Sequence, residues 1–326
     1  MPDTLQRRTV VMAGLAAVVA PIAAQSYPSR PIKFVVGYVA GGAPDIFART
    51  LGTQLAKVLG QNIVVENRLG AGGTIGAAQV SGAIPDGYTL LVAESAQIEL
   101  APLLFKKLSY DPVQDFTHIA RLSVSPGLGI VVSSKNQQLR TMEDLIREAK
   151  ANPGKLNYGS SGIGSTHHVV MEGLKYWLGL DIVHVPYKGS SESVPAVMAG
   201  DVQVTLSALQ SVMEDVRGGK LRLLATSGSR RFRGTPDTPI MGEFIKNYEP
   251  IVSQFSMLGP PRMPPDVIAR LSSALKEVLA QPETVARIYS LNYEPMWSNP
   301  EDYKLEVQEN LKKYARAMRI AGIQPS

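Results

Sequence analysis

Cysteine is absent from all 326 residues. Thiol catalysis, thiolate metal sites and disulfides are therefore excluded. Histidine is scarce, with only His118, His167, His168 and His184. None falls in an H-E-x-x-H pattern, so no zinc site is expected. No P-loop is present, because Gly219-Lys220 is followed by leucine. Two glycine runs imitate a dinucleotide fingerprint and fail when counted out. After Gly70 and Gly72 the third glycine comes one place late, at Gly76; after Gly162 and Gly164 its place is taken by His167. No G-x-S-x-G elbow occurs, and the sequence shows no obvious nucleophile–base pair. Neither a cofactor nor a catalytic apparatus is expected.

Strong charge is also missing. The net charge is +5. A nucleic-acid binder clusters its basic residues with aromatics between them. The one dense cluster, Ser229-Arg-Arg-Phe-Arg233, reads as a solvated loop, and no nucleic-acid partner is expected. The only long apolar run is N-terminal. Arg7 and Arg8 precede Val10–Ala20, and Pro21 and small residues follow. This is the layout of a secretory signal peptide, residues 1–24, cleaved after Ala24 or Ser26. The run is too short to cross about 30 Å of hydrocarbon. The paired arginines leave general and twin-arginine export both open. A soluble, exported mature chain is expected.

What the sequence does have is an alternation of short apolar runs and helical stripes. Residues 32–37, 62–66 and 88–93 read as strands; 44–59 and 74–83 read as helices between them. The β-α-β-α-β order recurs from Gly129 to Thr226, with a capping-box pattern at Thr141-Met-Glu-Asp144. Three helix-like stretches close the chain, near 266–280, 282–291 and 301–319. The length suits two domains, and the pattern gives two α/β units.

Glycine-rich loops lie where strands hand over to helices: Tyr38-Val-Ala-Gly-Gly-Ala-Pro-Asp45, Gly70-Ala-Gly-Gly-Thr74 and Ser160-Ser-Gly-Ile-Gly-Ser-Thr166. A helix N-terminus carries about half a positive charge and free N–H groups, so it holds an anion without arginine. In open α/β sheets ligands sit beyond the C-terminal ends of the strands, where all three loops fall. Each loop alone reads more readily as a tight turn or helix cap than as a ligand site. Together, behind an export signal, they point to a ligand cleft. Asp45 suits either a ligand donor or the helix dipole.

The residues that carry chemistry also carry a resemblance. Tyr27-Pro-Ser-Arg-Pro-Ile32, Val35–Asp45, Val65-Glu-Asn-Arg-Leu-Gly-Ala-Gly-Gly-Thr-Ile-Gly76 and Pro85-Asp-Gly-Tyr-Thr-Leu-Leu91 are similar to the tripartite tricarboxylate transporter receptors, the TctC or Bug family. Pro153–Ser160, His184-Val-Pro-Tyr-Lys-Gly189 and Gly219–Ala225 continue the match. Position 37 departs: the family often has proline there, and this chain has Gly37.

The resemblance implies a two-lobe, type II-like periplasmic binding fold, each lobe a mostly parallel sheet flanked by helices. Lobe one would hold 27–123 plus 251–326 and lobe two 124–250, hinged by two crossing segments. It implies a monomeric receptor, not an enzyme. The receptor captures a small carboxylate (a di- or tricarboxylate, acidic amino acid or aromatic acid) and delivers it to integral membrane transporter subunits. Contacts carried over by position are Tyr38, Ala40, Gly41, Gly42 and Asp45 from lobe one, and Gly164, Ser165 and Thr166 from lobe two. Gly72, Gly73, Ser95, His168, Tyr187 and Ser207 complete the set. His168 equally suits a packed helix position, and Tyr187 a hinge or packing role. Two other readings remain: a sensory protein signalling to a receptor kinase, and a small-acid hydrolase on a related scaffold.

Overall fold

The computed structural model describes residues 27–163 and 165–324; the signal segment 1–24 and Gly164 lie outside the described residues. The chain builds two mixed sheets. The first contains β1 (Ile32–Val36), β2 (Ile63–Asn67), β3 (Thr89–Glu94), β4 (Thr117–Val124), β10 (Gln254–Gly259) and β11 (Glu294–Pro295), in the order β11-β4-β10-β3-β1-β2. The second contains β5 (Leu128–Ser133), β6 (Asn157–Ser160), β7 (Val183–Pro186), β8 (Val204–Ala208) and β9 (Leu221–Thr226), in the order β7-β6-β8-β5-β9.

Helices cover both sheets: α1 (Ala43–Leu59), α2 (Thr74–Ser81), α3 (Ala101–Leu104), α4 (Met142–Ala151), α5 (Thr166–Leu178), α6 (Ser190–Ala199), α7 (Leu209–Arg217), α8 (Pro265–Ala280), α9 (Pro282–Ser290) and α10 (Pro300–Ile320). Parallel pairing holds where βαβ units were read, in β2-β1-β3 and β7-β6-β8. The strands that arrive through a crossing, β10 and β5, pair antiparallel with their neighbours. A strand entering from the other sheet starts where its neighbours end, so it must run against them.

Local chemistry explains the elements. Helix α1 opens on Gly42 with Pro44 in its first turn and stops at Gly60, whose φ of 69° no β-carbon residue adopts cheaply. Its stripe of Phe47, Ala48, Leu51, Leu55 and Leu59 is buried in a core with Phe34, Val36 and Leu90 of the sheet. Full burial of each large member contributes about 1.5–3 kcal/mol. The second sheet has its own core, with Ile130, Tyr158, Leu174 and Leu206.

Two crossing segments join the sheets, and they are bonded to each other. Ser125 N–H donates to the Ser253 carbonyl at 2.7 Å, and Ser253 N–H donates to Ser125 Oγ at 3.0 Å. Helix α10 is the third link. Tyr303 and Val307 pack in the first lobe, whereas Tyr314, Ala317 and Met318 lie in the second core. At about 1.5 Å per residue its 21 residues span roughly 30 Å, enough to bridge both. The last turns of 251–326 thus pack with the second lobe, against the expectation that the whole segment belongs with the first.

Residues 229–233 form an exposed loop, as read, in which only Phe232 turns inward. Arg230 ion-pairs with Glu294 of β11, Arg231 forks onto Glu243, Phe232 is buried, and Arg233 sits 5.6 Å over the Tyr289 ring of α9. Arg230 and Arg233 thus reach residues of the segment 282–295, whereas Arg231 and Glu243 both belong to 124–250.

Candidate functional site

Strand sense decides where the site is. In the first sheet β1, β2 and β3 are parallel and end on one edge; β10 begins there, with Phe255 opposite Glu94. In the second sheet β6, β7 and β8 end on one edge; β5 begins there, with Leu128 opposite Ala208. Of the hinge residues, Ser125 immediately follows β4, three residues before β5, and Ser253 immediately precedes β10. Ser253 Oγ also donates to Glu94 Oε1 at 2.6 Å, at the tip of β3. Both loop-bearing edges therefore abut one hinge, and the space between them is an interlobe cleft.

On the first edge, Tyr38, Ala40, Gly41 and Gly42 form the β1–α1 loop. Its shape is held by a buried clamp. Asp45 accepts Gly41 N–H and Arg49 Nε on one oxygen and Asn67 Nδ2 on the other, each at 2.9 Å, and Asn67 Nδ2 also reaches the Tyr38 carbonyl at 2.9 Å. Burial pushes the Asp45 carboxyl up, but the bonds from Arg49, Gly41 and Asn67 outweigh it and hold it down at about 2. Both oxygens of Asp45 are thus engaged in bracing the loop. Gly41 takes φ +80°, a left-handed geometry that favours glycine, and Gly42 N–H bonds Val39 O at 3.2 Å. The N–H groups that head α1 without an intrahelical acceptor are those of Ala43 and Asp45; Pro44 has none. Ala40 and Gly41 are exposed.

The Tyr38 hydroxyl lies against Glu94; burial first and the Glu94 carboxylate second push its pKa well up, so it is a donor at neutral pH. Gly72 and Gly73, at φ +65° and +91°, make the turn into α2; Gly72 is exposed and Gly73 buried. Ser95 is buried and accepts Gln254 N–H at 3.3 Å, which ties the end of β3 to the strand leaving the hinge.

On the second edge, Ser165 caps α5: its Oγ accepts His168 N–H at 3.3 Å and donates to Gly162 O at 2.7 Å. Thr166 is the first residue of that helix. His168 itself is packed. Its ring stacks on His184 at 4.2 Å between centroids, and His184 stacks on Tyr158 at 4.8 Å. Burial depresses both imidazoles, His184 to about 4, so the stack is neutral at neutral pH. Tyr187 donates its N–H to Ser160 O at 3.1 Å and packs against the second lobe's other apolar cluster. Ser207 is fully buried on β8, and its hydroxyl has no partner.

Two serine–histidine contacts went unseen in the sequence. Ser161 Oγ meets His167 Nδ1 at 2.6 Å, and Ser160 Oγ meets His184 Nε2 at 2.7 Å. Neither has the third member of a hydrolytic triad. The far nitrogen of His167 faces the Ser190 hydroxyl at 3.5 Å, not a carboxylate, and His184 is sandwiched between rings. The first ties the loop after β6 to the start of α5, and the second ties β6 to β7. Asn67, Glu94, Gln97 and Ser253 were also missed; Asn67 stands inside a quoted motif, whereas the others carry no local signal. Among the described residues no group of three His, Asp or Glu side chains is placed to hold a metal, and no helix is long and apolar enough to cross a membrane.

Comparison with known proteins agrees with this arrangement. The chain matches the family described as "Tripartite tricarboxylate transporter family receptor" over residues 47–323. It is 37% identical to the "UPF0065 protein in gbd 5'region" of Cupriavidus necator over 310 residues, 95% of this chain and 93% of that one. An R. palustris protein solved with adipate is 28% identical, with a TM-score of 0.75 over 92% of this chain and 100% of that one. MatC from Rhodopseudomonas palustris, solved with bound malate, is 27% identical, with a TM-score of 0.68 over 89% and 99%. The chain belongs to the tripartite tricarboxylate transporter receptor family, the solute-binding proteins of TctC and Bug type.

Proposed function

We propose that this receptor captures a small carboxylate between its lobes in the periplasm, as a monomer, and delivers it to membrane transporter subunits without altering it. The observation that carries the reading is the pair of loop-bearing edges abutting one hinge, each with a long helix pointing its N-terminus out of the edge, α1 and α5. Adipate and malate in the two relatives support an acid with two carboxylates as the first class to try. The expected contacts are the β1–α1 loop with Ala40, Gly41 and Gly42, the tip at Tyr38, Gly72 and Ser95, and the α5 cap at Gly164, Ser165 and Thr166. Asp45, Gly73, His168, Tyr187 and Ser207 serve this site by holding its shape. The lobes are taken as 27–123 plus 251–326 and 124–250, with α10 bridging them.

Ligand contacts from both lobes exist only when the cleft is closed, so binding favours closure. The test is small-angle scattering with and without saturating acid. A bound acid that leaves the radius of gyration unchanged sinks the mechanism. Replacing Gly42 with leucine projects a side chain from the head of α1 while its β-carbon meets only Val39 and Pro44 at 3.2 Å or more. Gly42→Leu is expected to abolish binding and keep the fold; unchanged affinity removes the first loop from the site.

A further inference from the structure

We propose that Gln97 is a positioning residue that locks three loops of the first lobe into one unit, and that Gly37 is glycine in order to admit it. The proposal rests on the reading of those loops as the carboxylate site. Gln97 follows β3 inside the π-helical turn Ala96–Leu100 and is fully buried. Both ends of its amide are engaged. Oε1 accepts Glu94 N–H at 2.9 Å, and Nε2 donates to the Gly73 carbonyl at 2.8 Å. Its own carbonyl accepts the Tyr110 hydroxyl at 2.5 Å, which holds the turn from the outer side.

The amide occupies space that two glycines leave. A β-carbon on Gly37 would lie 2.4 Å from Gln97 Nε2 and 2.6 Å from the Gly73 Cα. A β-carbon on Gly73 would lie 2.5 Å from the same nitrogen. A β-carbon does not approach non-bonded heavy atoms that closely, so the three residues interlock. Gly37 begins the β1–α1 loop, Gly73 ends the turn into α2, and Gln97 belongs to the end of β3. Each loop is thereby referenced to the other two, and an N–H aimed from one loop keeps its place relative to the next. No charge is involved, so the lock is insensitive to pH.

The experiment has a ligand-free arm and a ligand arm. The variants are Gln97→Met, which keeps length and loses both hydrogen bonds, Gly37→Ala, and the double variant Gly37→Ala/Gln97→Ala. In the ligand-free arm, amide hydrogen exchange is followed across residues 37–43 and 70–74. Gln97→Met is expected to speed exchange in both segments together by about tenfold or more, while the interiors of β1 and α1 are unchanged. In the ligand arm, calorimetric titration uses malate and adipate. Gln97→Met and Gly37→Ala are each expected to weaken the acid that the parent binds by about tenfold, and the double variant to recover part of the Gly37→Ala loss, because the amide is gone while only the Gly73 backbone, at 2.6 Å, remains in the way.

Acceleration of only one segment, or of neither, overturns the lock whatever acids bind. Looser loops with unchanged affinity overturn the positioning role. An additive double variant overturns the interlock of Gly37 with Gln97. If the loops loosen together but the parent binds neither acid, the lock stands and the choice of acids fails. Should Gln97→Met not fold, the comparison of Gly37→Ala with the double variant carries both readouts, since only residue 97 differs between them and the Gly73 backbone is common to both.

Discussion

Asp45 offers the sharpest quantitative prediction. The perturbation is Asp45→Asn. The carboxylate holds Gly41 N–H, Arg49 and Asn67 at once, and an amide in its place presents a donor to at least one donor. The side chain is 3% exposed, so water does not make good the loss. Its pKa falls from 3.8 to about 2. At about 1.4 kcal/mol per unit, that difference represents roughly 2 kcal/mol of stability. The folded pKa is depressed, so this stability is present above 3.8 and is lost as pH falls through about 2. Thermal unfolding followed by circular dichroism is the assay. At neutral pH the variant is expected to melt roughly 4–8 °C lower, taking about 2–4 °C per kcal/mol. The gap is expected to shrink as the pH is taken down towards 2. Because the same clamp fixes the Tyr38 carbonyl and Gly41, acid affinity should fall by about tenfold in parallel. A variant that melts with the parent at neutral pH, or a gap as wide at low pH as at neutral pH, refutes the reasoning.

Further tests address other parts of the molecule. Glu99 is fully buried; one oxygen takes Gln254 Nε2 at 2.7 Å and Asn310 Nδ2 at 2.9 Å, and the other has no partner. Burial pushes it up from 4.5 to about 7, so its contribution is full below 4.5 and is lost as pH rises through about 7. Glu99→Gln should therefore abolish a loss of roughly 3 kcal/mol between mildly acidic and mildly alkaline pH, read by urea unfolding; parallel pH profiles would contradict this. The histidine stack has the opposite sign. Burial, then the neighbouring His168, depresses His184 from 6.5 to about 4, so that stability is present above 6.5 and is lost as pH falls through about 4. His184→Phe keeps a ring in the stack and should flatten the acid limb of the unfolding profile. Arg230→Ala leaves Glu294 without its cross-lobe partner. Because Arg230 is half exposed, at most about 1 kcal/mol is at stake, and the open fraction should rise a few-fold by single-molecule distance measurement between the lobes. An unchanged distance distribution would show that the pair does not hold the lobes.

Much of the fold was legible because its signals are local. The stripe of α1, the apolar run of β1 and the capping box at Thr141 and Asp144 each sit within a few residues, and each appears as read. What escaped depends on distant partners. Strand β4 shows no clean alternation, because it is flanked on both sides in its sheet and almost fully buried. Helix α7 is short and follows β8 without a loop. The sharing of α10 between two cores is invisible to periodicity, which reports that one face is buried and not against what. At the site, glycine-rich loops announced themselves through composition. The groups that brace them do not: Asn67, Gln97 and Ser253 are ordinary polar residues whose roles arise from contacts across tens of residues. The contact of exposed Arg230 with Glu294 escaped for the same reason, since the two lie 64 residues apart.

The central claim is capture of a carboxylate by a cleft that relies on helix N-termini and backbone N–H groups. The most direct measurement is calorimetric titration of the mature protein with a panel of small acids, malate and adipate among them, beside the neutral amide of each. At least one acid is expected to bind, and its amide, equal in shape but without charge, is expected not to. A panel in which no acid binds, or in which the amide binds as tightly as its acid, contradicts it.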